Sequence, residues 1–379
     1  MKVLVDLTWM SAERINLSFS KYALRLFGAI PAPERGNYRL LFEKDSAAYL
    51  QGLFPGFERQ SVNLFRGGVF IPRPRNLFRA INFASAVRAS GCDRLFFPGE
   101  AEPFMMRGLK LPCLLVIHDL KRLKVDFGDG DDTLRGRLRA RRMKARYGVI
   151  IPAASRIAAV SAFTADDIRR FFPGKDPASI DVVYNAVTVS PESKMPAGVE
   201  EGEKYILYIN SLERFKNLHT IVRAYARIAG EIPEKLLVVG KESRYYRDTV
   251  LPLIKRYGLE ERILRLQDLK DAEIRCLYEN ASLFVSPSLH EGFGYTPIEA
   301  AICRCPVLCS RCDSLPEVSE EMLNYYEPAE DASALAAQMK ALLLQAPVGG
   351  SLEKISAHFS EKYSPRRQAE EIGRILKTI

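Results

Sequence analysis

Short apolar runs that alternate with helical patterns dominate the first half of the chain. The predicted strands are Val3–Leu7, Leu40–Phe42, Arg94–Phe97, Cys113–Ile117, Ile157–Val160 and Val182–Tyr184. Apolar residues at helical spacing lie between some of these strands, as in Lys21–Phe27 and Ala162–Phe171. Strands that alternate with helices are typical of a parallel, doubly wound α/β sheet.

Residues 188–203 interrupt this alternation with a polar, turn-rich segment that has no periodicity. Beyond it, the predicted strands are Tyr205–Ile209, Leu236–Val239, Ile263–Leu266, Leu283–Val285 and Val307–Leu308. The same alternation therefore restarts. The pattern predicts a first domain at 1–187, a linker at 188–203 and a second domain of the same kind at 204–360.

Composition agrees with two globular domains. The chain has 379 residues, of which 47% are apolar and 27% charged. No window approaches 18 uncharged apolar residues, and Met1–Asp6 enters a strand pattern without the layout of a signal peptide. We expect a cytoplasmic protein, and peripheral attachment to the inner face of the membrane stays open.

The net charge of +9 is unevenly distributed. Residues 1–187 contain 30 Lys and Arg against 18 Asp and Glu, whereas residues 188–379 contain 25 against 28. The densest basic run comprises Arg135, Arg137, Arg139, Arg141, Arg142, Lys144 and Arg146. This run either binds an anionic membrane surface or forms a solvated helix face packed through Leu134, Leu138 and Met143. Nucleic acid is a poorer explanation, because no nucleic-acid-binding motif accompanies the charge.

Two groups of residues resemble metal sites only loosely. Seven scattered cysteines argue against a disulfide framework, and the cluster Cys303, Cys305, Cys309 and Cys312 lacks the paired spacing of a structural zinc site. The acidic loop with Asp126, Asp129, Asp131 and Asp132 lacks the closing glutamate of a calcium loop. We therefore expect no bound metal.

A glycine loop, residues 291–297, follows the apolar run Leu283–Val285 and leads into a helical pattern. Its glycines allow close approach of a ligand, and the start of the helix offers unpaired N–H groups to an anion. Glu291 is well sited to accept hydrogen bonds from sugar hydroxyls, which suggests a nucleotide sugar. Glu299 has two readings: it binds the ligand, or it closes a capping box with Thr296 as N-cap.

Glu291 and Glu299, separated by seven residues and followed by Pro306-Val307 and residues 315–318, resemble the signature of family 4 glycosyltransferases. The resemblance covers most of the chain and is weakest between about Ile15 and Leu109. It implies the GT-B fold, two Rossmann-like domains facing across a cleft, with the C-terminal residues 361–379 returning to the first domain. It also implies sugar transfer from a nucleotide sugar with retention of configuration and without a metal.

The resemblance also implies site residues. Lys216 stands where the family has its phosphate-binding lysine. A cation just before the start of a helix is unfavourable unless an anion shares the site. Lys216 and Arg214 are therefore predicted diphosphate ligands. A solvated loop lysine is the alternative. His118 matches the His-Asp pair of the cleft, and Asn185 follows a strand at the edge where ligands bind. The remaining predicted binding residues are Gly240, Gly292, Phe293, Gly294, Tyr295, Thr296 and Glu299.

The sequence thus predicts a retaining, metal-independent hexosyltransferase that resembles mannosyltransferases. Glu291, His118 and Lys216 are its predicted catalytic residues. The donor would be a nucleotide sugar such as GDP-mannose or a UDP-sugar, no cofactor is expected, and the acceptor would be a saccharide or lipid-linked saccharide in surface polysaccharide synthesis. The loop after the first strand, which faces the acceptor in relatives, lacks their glycines. A nucleotide-sugar epimerase or hydrolase and a non-catalytic nucleotide-sugar-binding protein stay open as alternatives.

Overall fold

The computed structural model describes residues 1–15, 18–64, 75–99, 101–124, 134–344 and 350–379, which form two compact units. The first unit contains the described residues up to Ala186 together with Pro365–Ile379, and the second contains Val187–Ser364.

The first unit is built on a seven-stranded parallel sheet in the order β3-β2-β1-β4-β5-β6-β7. Its strands are β1 (Val3–Asp6), β2 (Tyr38–Glu43), β3 (Glu58–Val62), β4 (Arg94–Phe97), β5 (Cys113–Ile117), β6 (Arg156–Ala159) and β7 (Ile180–Val182). In the part of the chain up to Ala186, its helices are α1 (Ser18–Gly28), α2 (Lys44–Leu50), α3 (Arg75–Ser90), α4 (Pro103–Met106), α5 (Leu134–Ala153) and α6 (Ala162–Phe171). Every residue of β1 and β5 is buried, as expected for strands covered on both faces.

The second unit has a six-stranded parallel sheet in the order β10-β9-β8-β11-β12-β13. Its strands are β8 (Tyr205–Ile209), β9 (Lys235–Val239), β10 (Ile263–Leu266), β11 (Leu283–Ser286), β12 (Val307–Ser310) and β13 (Asn324–Tyr326). Its helices are α7 (Leu218–Ile228), α8 (Leu251–Arg256), α9 (Asp271–Asn280), α10 (Tyr295–Ile302), α11 (Leu315–Val318), α12 (Ala332–Leu344) and α13 (Ser351–Lys362). Counted within this unit, the strand order is 3-2-1-4-5-6, the doubly wound order of dinucleotide-binding folds.

The last helix, α14 (Pro365–Thr378), belongs to the first unit, where it packs on α1. Ile372, Ile375 and Leu376 are its buried apolar residues. The Arg94 guanidinium donates to the backbone oxygen of Ile379 at 2.7 Å. The return of the chain to the first unit begins at Pro365, four residues later than position 361.

Three sequence predictions differ from the structure. The edge strands β3 and β13 were not predicted, because β3 carries exposed polar residues and β13 has only three residues. The last strand of the first sheet is two residues earlier than predicted. Residues 188–203, expected to be a linker, pack with the second unit: Lys194 N donates to Ala272 O at 3.1 Å, and Ser193 Oγ donates to Glu279 at 2.7 Å.

Candidate functional site

The strand order of the second unit reverses between β8 and β11, so the loops after these two strands lie side by side at the carboxyl edge of the sheet. Ligands of open α/β sheets bind at such a switch point. The loop after β8 carries Arg214 and Lys216, and the loop after β11 carries Glu291 and the two glycines. The fold therefore brings the two predicted motifs of this unit together.

Lys216 and Glu291 form an ion pair at the centre of this site. Lys216 Nζ lies 2.6 Å from Glu291 Oε1, and both side chains are about nine-tenths buried, with exposures of 11% and 10%. A buried charge is costly unless it is paired, so each side chain depends on the other. The alternative of a solvated loop lysine is therefore excluded, because Lys216 is buried.

Three neighbours hold the Glu291 loop in place. Ser288 Oγ donates to Glu291 Oε1 at 2.8 Å, and Ser314 Oγ donates to the Glu291 carbonyl at 3.0 Å. The Asp313 carboxylate accepts from Glu291 N at 3.2 Å and contacts His290 Nδ1 at 3.1 Å. Sequence reasoning missed Asp313 and Ser314, although they follow the apolar run of β12 and so had to lie at the same edge of the sheet.

The side chain of Asn217 fixes the loop after β8, which carries Lys216. Asn217 occupies the N-cap position of α7, but its side chain makes no capping hydrogen bond. Its backbone is left-handed, with φ of 59°. Its side-chain Nδ2 donates to Pro287 O at 3.0 Å and to Ala329 O at 2.9 Å. Asn217 therefore ties the Lys216 turn to the end of β11 and so supports the ion pair.

The glycine loop ends at Gly294, which is the N-cap of α10. Gly294 has φ of 92°, and a Cβ at this position would lie 2.3 Å from the Leu315 side chain, so only glycine fits without strain. The helix begins at Tyr295, two residues earlier than predicted, and no side chain caps it. The predicted capping box of Thr296 and Glu299 is therefore wrong, because Thr296 lies inside the first turn.

The Glu299 carboxylate contacts a tyrosine hydroxyl. It is half-buried on α10, and the Tyr278 hydroxyl donates to Glu299 Oε2 at 3.4 Å. Burial, followed by the charge of Glu299, raises the pKa of Tyr278 well above its usual value. Tyr278 therefore stays protonated and remains a hydrogen-bond donor to the carboxylate.

The aromatic residues of the loop differ in role. Phe293 is 3% exposed, and its ring packs 5.3 Å from that of Tyr363 and 5.2 Å from that of Tyr295. Phe293 can meet a ligand only through its backbone, so its side chain is part of the core. Gly292 is half-buried beside it.

Arg214 and Gly240 border the same edge. Arg214 is exposed on the turn that holds Lys216. Gly240 follows β9, and a Cβ there would lie 2.5 Å from Asn210 O, so the ends of β8 and β9 approach closely only because the residue is glycine. Both residues therefore lie in loops at the carboxyl edge of this sheet.

The first unit holds the two other predicted residues. His118 follows β5, and its Nε2–H donates to Pro98 O at 3.0 Å. The rings of Phe19 and Tyr22 pack edge-on against it at 4.8 and 4.9 Å. Asn185 is 1% exposed, and its Oδ1 has no hydrogen-bond partner among the described residues.

The cysteine cluster lies within the second unit, where Cys303, Cys305 and Cys309 are buried and Cys312 is partly buried. Burial, with smaller contributions from Glu291 and Asp313, raises the pKa of Cys312 to about 12, which keeps the thiol protonated. Among the described residues, no three His, Cys, Asp or Glu side chains are grouped to hold a metal ion. The acidic loop with Asp126, Asp129, Asp131 and Asp132 lies outside the described part of the chain.

The basic run lies on α5, as the pattern predicted, although the side chain of Arg135 is outside the described residues. Arg137, Arg141 and Lys144 are exposed. Leu138, expected to help pack the helix, is 47% exposed among these cations. The apolar stripe of α5 is therefore only partly covered. In the described part of the chain, no helix is long and apolar enough to cross a membrane.

Comparison with known proteins gives the family. The sequence pattern of the family described as Glycosyl transferases group 1 matches residues 189–360, which contain the whole second-unit site. The chain is 30% identical over 314 residues to O-antigen chain mannosyltransferase B of Escherichia coli, a match that covers 74% of this chain and 81% of that enzyme. This chain belongs to the group 1 glycosyl transferases.

Other relatives of this group 1 glycosyltransferase match over shorter stretches. It is 31% identical to the N-acetyl-alpha-D-glucosaminyl L-malate synthase of Bacillus anthracis over 38% of each chain. It is 29% identical over 43% of each chain to a Campylobacter jejuni enzyme named as a transferase to N-acetylgalactosamine-N,N'-diacetylbacillosaminyl-diphospho-undecaprenol. The chain thus spans less than half of the length of these two relatives.

Solved structures share the fold of this group 1 glycosyltransferase. A glycosyltransferase from Rickettsia africae has a TM-score of 0.74 at 16% identity, with 100% of this chain and 98% of that chain covered. HepE of Anabaena, solved in complex with UDP-glucose, has a TM-score of 0.72 at 15% identity, with both chains fully covered. The predicted GT-B fold is confirmed.

Proposed function

We propose that this group 1 glycosyltransferase transfers a hexose, with mannose as the first candidate, from a nucleoside-diphosphate sugar with retention of configuration. The observation that carries the proposal is the buried Lys216–Glu291 pair at the switch point, beside the left-handed Gly294 that opens α10. The similarity to an O-antigen chain mannosyltransferase supports the choice of sugar.

In this proposal the diphosphate lies between Lys216 and the start of α10. Charge builds on the diphosphate as the glycosidic bond breaks, and fixed donors act most strongly on such developing charge. Lys216, with Arg214 at the rim, supplies the cations. The amides of Gly292–Thr296 supply neutral donors, whereas Pro297, in the first turn of α10, has no N–H to offer.

The two glutamates have separate roles. Glu299 binds the ribose hydroxyls, and Gly240 borders the nucleotide. Glu291 accepts from the hydroxyls of the sugar and exchanges part of its contact with Lys216 for them when the donor arrives. We assign His118 to the sugar and Asn185 to the donor, both from the first unit, on the resemblance of their positions to the family pattern.

The acceptor in this proposal is a saccharide or lipid-linked saccharide on the way to a surface polysaccharide. The name of the Campylobacter relative, with its diphospho-undecaprenol, supports a lipid-linked acceptor. The exposed cations Arg137, Arg141 and Lys144 on α5 would hold the enzyme at an anionic membrane face.

A panel of nucleotide sugars tests this function. The protein is incubated with GDP-mannose, UDP-glucose and related donors, with and without EDTA, in the presence of saccharide and lipid-linked acceptors. We expect transfer from one donor, an α-linked product from an α-linked donor, and equal rates with EDTA. Epimerised donor, free sugar alone, or binding without turnover would each replace the proposal, and activity that needs added magnesium or manganese would remove metal independence.

A further inference from the structure

A cavity of about 380 Å³ lies in the first unit, away from the residues assigned to the reaction. Apolar side chains form most of its wall: Phe83 and Val87 from α3, Phe104 from α4, and Leu109 and Leu111 from the segment that leads to β5. Cavities of about 300–1,000 Å³ are the size of small-molecule sites. This one therefore has room for a ligand and a surface suited to an apolar one.

Its position in the sheet separates it from the proposed reaction. Arg88 and Cys92 precede β4, and Lys110 and Leu111 precede β5. They lie toward the amino ends of these strands, whereas His118 follows the carboxyl end of β5. This part of the cavity therefore lies at the amino ends of β4 and β5, whereas His118 lies at the carboxyl end of β5.

Three basic side chains line the cavity together with the apolar wall. Arg88, Arg107 and Lys110 all line it, and all three are exposed to solvent. Their charge is suited to an anion outside the apolar interior. An apolar interior with cations that reach solvent is complementary to one class of molecule, an amphiphile with a hydrocarbon chain and a phosphate head group.

The helix beside the cavity leaves large apolar residues uncovered. Leu77, Phe78 and Ile81 of α3 are 57%, 49% and 51% exposed. Residues three and four apart share one face of a helix, so the three side chains form one apolar patch. Single exposed apolar residues are ordinary, but three within about one turn, next to an apolar cavity, point to a surface that meets lipid.

We propose that this cavity binds one acyl chain of an anionic phospholipid, with Arg88, Arg107 and Lys110 at its phosphate and Leu77, Phe78 and Ile81 inserted at the membrane interface. The site recognises the chain and the head group together. Helix α4 packs on both α3 and the arginine-rich α5, so the lipid site neighbours the basic helix within one unit. The site is independent of the proposed reaction, because neither donor nor turnover is needed to occupy it.

Binding of a soluble lipid tests the cavity directly. Dihexanoyl phosphatidylglycerol, kept below its micelle concentration, is titrated into the full-length protein by calorimetry, beside glycerol phosphate and dihexanoyl phosphatidylcholine. We expect the anionic lipid to bind, glycerol phosphate not to bind, and the zwitterionic lipid to bind more weakly. Glycerol phosphate that binds as tightly as the anionic lipid would assign the site to free phosphate and overturn the proposal.

A pair of variants on α3 separates the cavity from the helix. Ala84→Phe fills the cavity from its wall, whereas Ala89→Phe adds the same ring at an exposed position that does not line it. Ala84→Phe should weaken lipid binding by about tenfold or more, and Ala89→Phe should leave it unchanged. If Ala84→Phe lowers the melting temperature, Ala80→Leu replaces it. Wild-type affinity in a folded cavity-filling variant would overturn the proposal.

The patch is tested on vesicles. Phe78→Ser should reduce co-sedimentation with phosphatidylglycerol vesicles at high salt, whereas Tyr49→Ser, which removes a ring of 51% exposure from α2 of the same unit, should not. Hydrogen exchange at residues 76–90 should slow on these vesicles. No change in either measurement would overturn the proposal. A lower oligomeric mass of Phe78→Ser together with wild-type vesicle binding would assign the patch to a contact between copies of this chain, and would overturn it as well.

Discussion

At the scale of single residues, the Lys216–Glu291 pair decides how the candidate site works. Two opposite charges, each about nine-tenths buried and 2.6 Å apart, offset part of the cost of removing each other from solvent. The Tyr208 hydroxyl also contacts this turn, donating to Lys216 O at 3.4 Å. The pair therefore joins the loop after β8 to the loop after β11.

Replacement of Lys216 tests the cation. Lys216→Ala should weaken binding of a nucleoside diphosphate by about 1.5–3 kcal/mol, the range of a hydrogen bond to a charged group. Lys340→Ala removes an exposed lysine paired with Glu231 in the same unit and is the matched control. Calorimetry that gives equal affinities for both variants would remove Lys216 from the site.

Replacement of the two glutamates tests their separate roles. Glu299→Ala should weaken free nucleotide and donor alike. Glu291→Gln should leave nucleotide affinity unchanged or slightly higher, because it frees Lys216 of a competing carboxylate. The turnover number of Glu291→Gln should fall by about 100-fold, which is the effect of a misplaced reacting group. Isothermal titration and steady-state kinetics measure the two effects. Equal losses of nucleotide affinity in both variants would contradict this division.

At the scale of elements, the start of α10 depends on Gly294. Gly294→Ala should lower the free energy of unfolding by about 1–3 kcal/mol, because alanine is strained at φ of 92° and its Cβ meets Leu315. Gly230→Ala is the control: no atom lies within 4 Å of its added Cβ, so the change should stay within about 0.5 kcal/mol. Urea unfolding of both variants measures the difference, and equal stabilities would refute the strain.

The start of α7 carries a pH-sensitive contact. Tyr245 Oη lies 2.7 Å from His219 Nδ1, and it accepts from His219 N at 3.1 Å. Burial, with the charges of Arg223 and Arg214, lowers the pKa of His219 to about 4. The folded protein thus binds fewer protons than the unfolded chain between pH ~6.5 and ~4, so this contribution to stability is lost as the pH falls through that range.

His219→Gln checks this sign, because glutamine does not titrate. The melting temperature of the wild type should exceed that of His219→Gln by more at pH 7 than at pH 5. A difference that stays constant between the two pH values would show that His219 has an ordinary pKa.

Elements and sites differ in how far the sequence predicts them. Strands such as β4, β5, β8 and β10 match their predicted bounds, because a polar residue or a proline stands directly before and after each run in the sequence. The cap of α10 does not, because its position follows from the contact of Gly294 with Leu315, which is distant in the chain. Asp313 was missed for the same reason: only the pairing of β11 with β12 brings it to Glu291.

At the scale of the whole molecule, charge is divided between the two halves of the chain. Residues 1–187 carry a net charge of +12 and residues 188–379 a net charge of −3. The exposed cations of α5 lie in the first unit, and the Lys216–Glu291 site lies in the second. Membrane attachment and donor binding are therefore expected to respond to different substitutions.

Replacement of Arg137, Arg141 and Lys144 with Gln should reduce binding to anionic vesicles at low salt and leave donor affinity unchanged. Each basic residue near the surface contributes about 1 kcal/mol, and the screening length shortens from about 10 Å at 0.1 M salt to about 3 Å at 1 M. Wild-type binding through α5 should therefore weaken steeply with salt.

Replacement of Lys44, Arg169 and Arg366 with Gln is the charge-matched control, because all three are exposed basic residues of the same unit outside α5. Co-sedimentation with anionic and neutral vesicles measures binding, and calorimetry with the nucleotide measures donor affinity. If both triple variants lose vesicle binding equally, the attraction follows net charge rather than α5. If the wild type sediments equally with neutral and anionic vesicles, or with neither, α5 is a solvated helix and the acceptor is soluble.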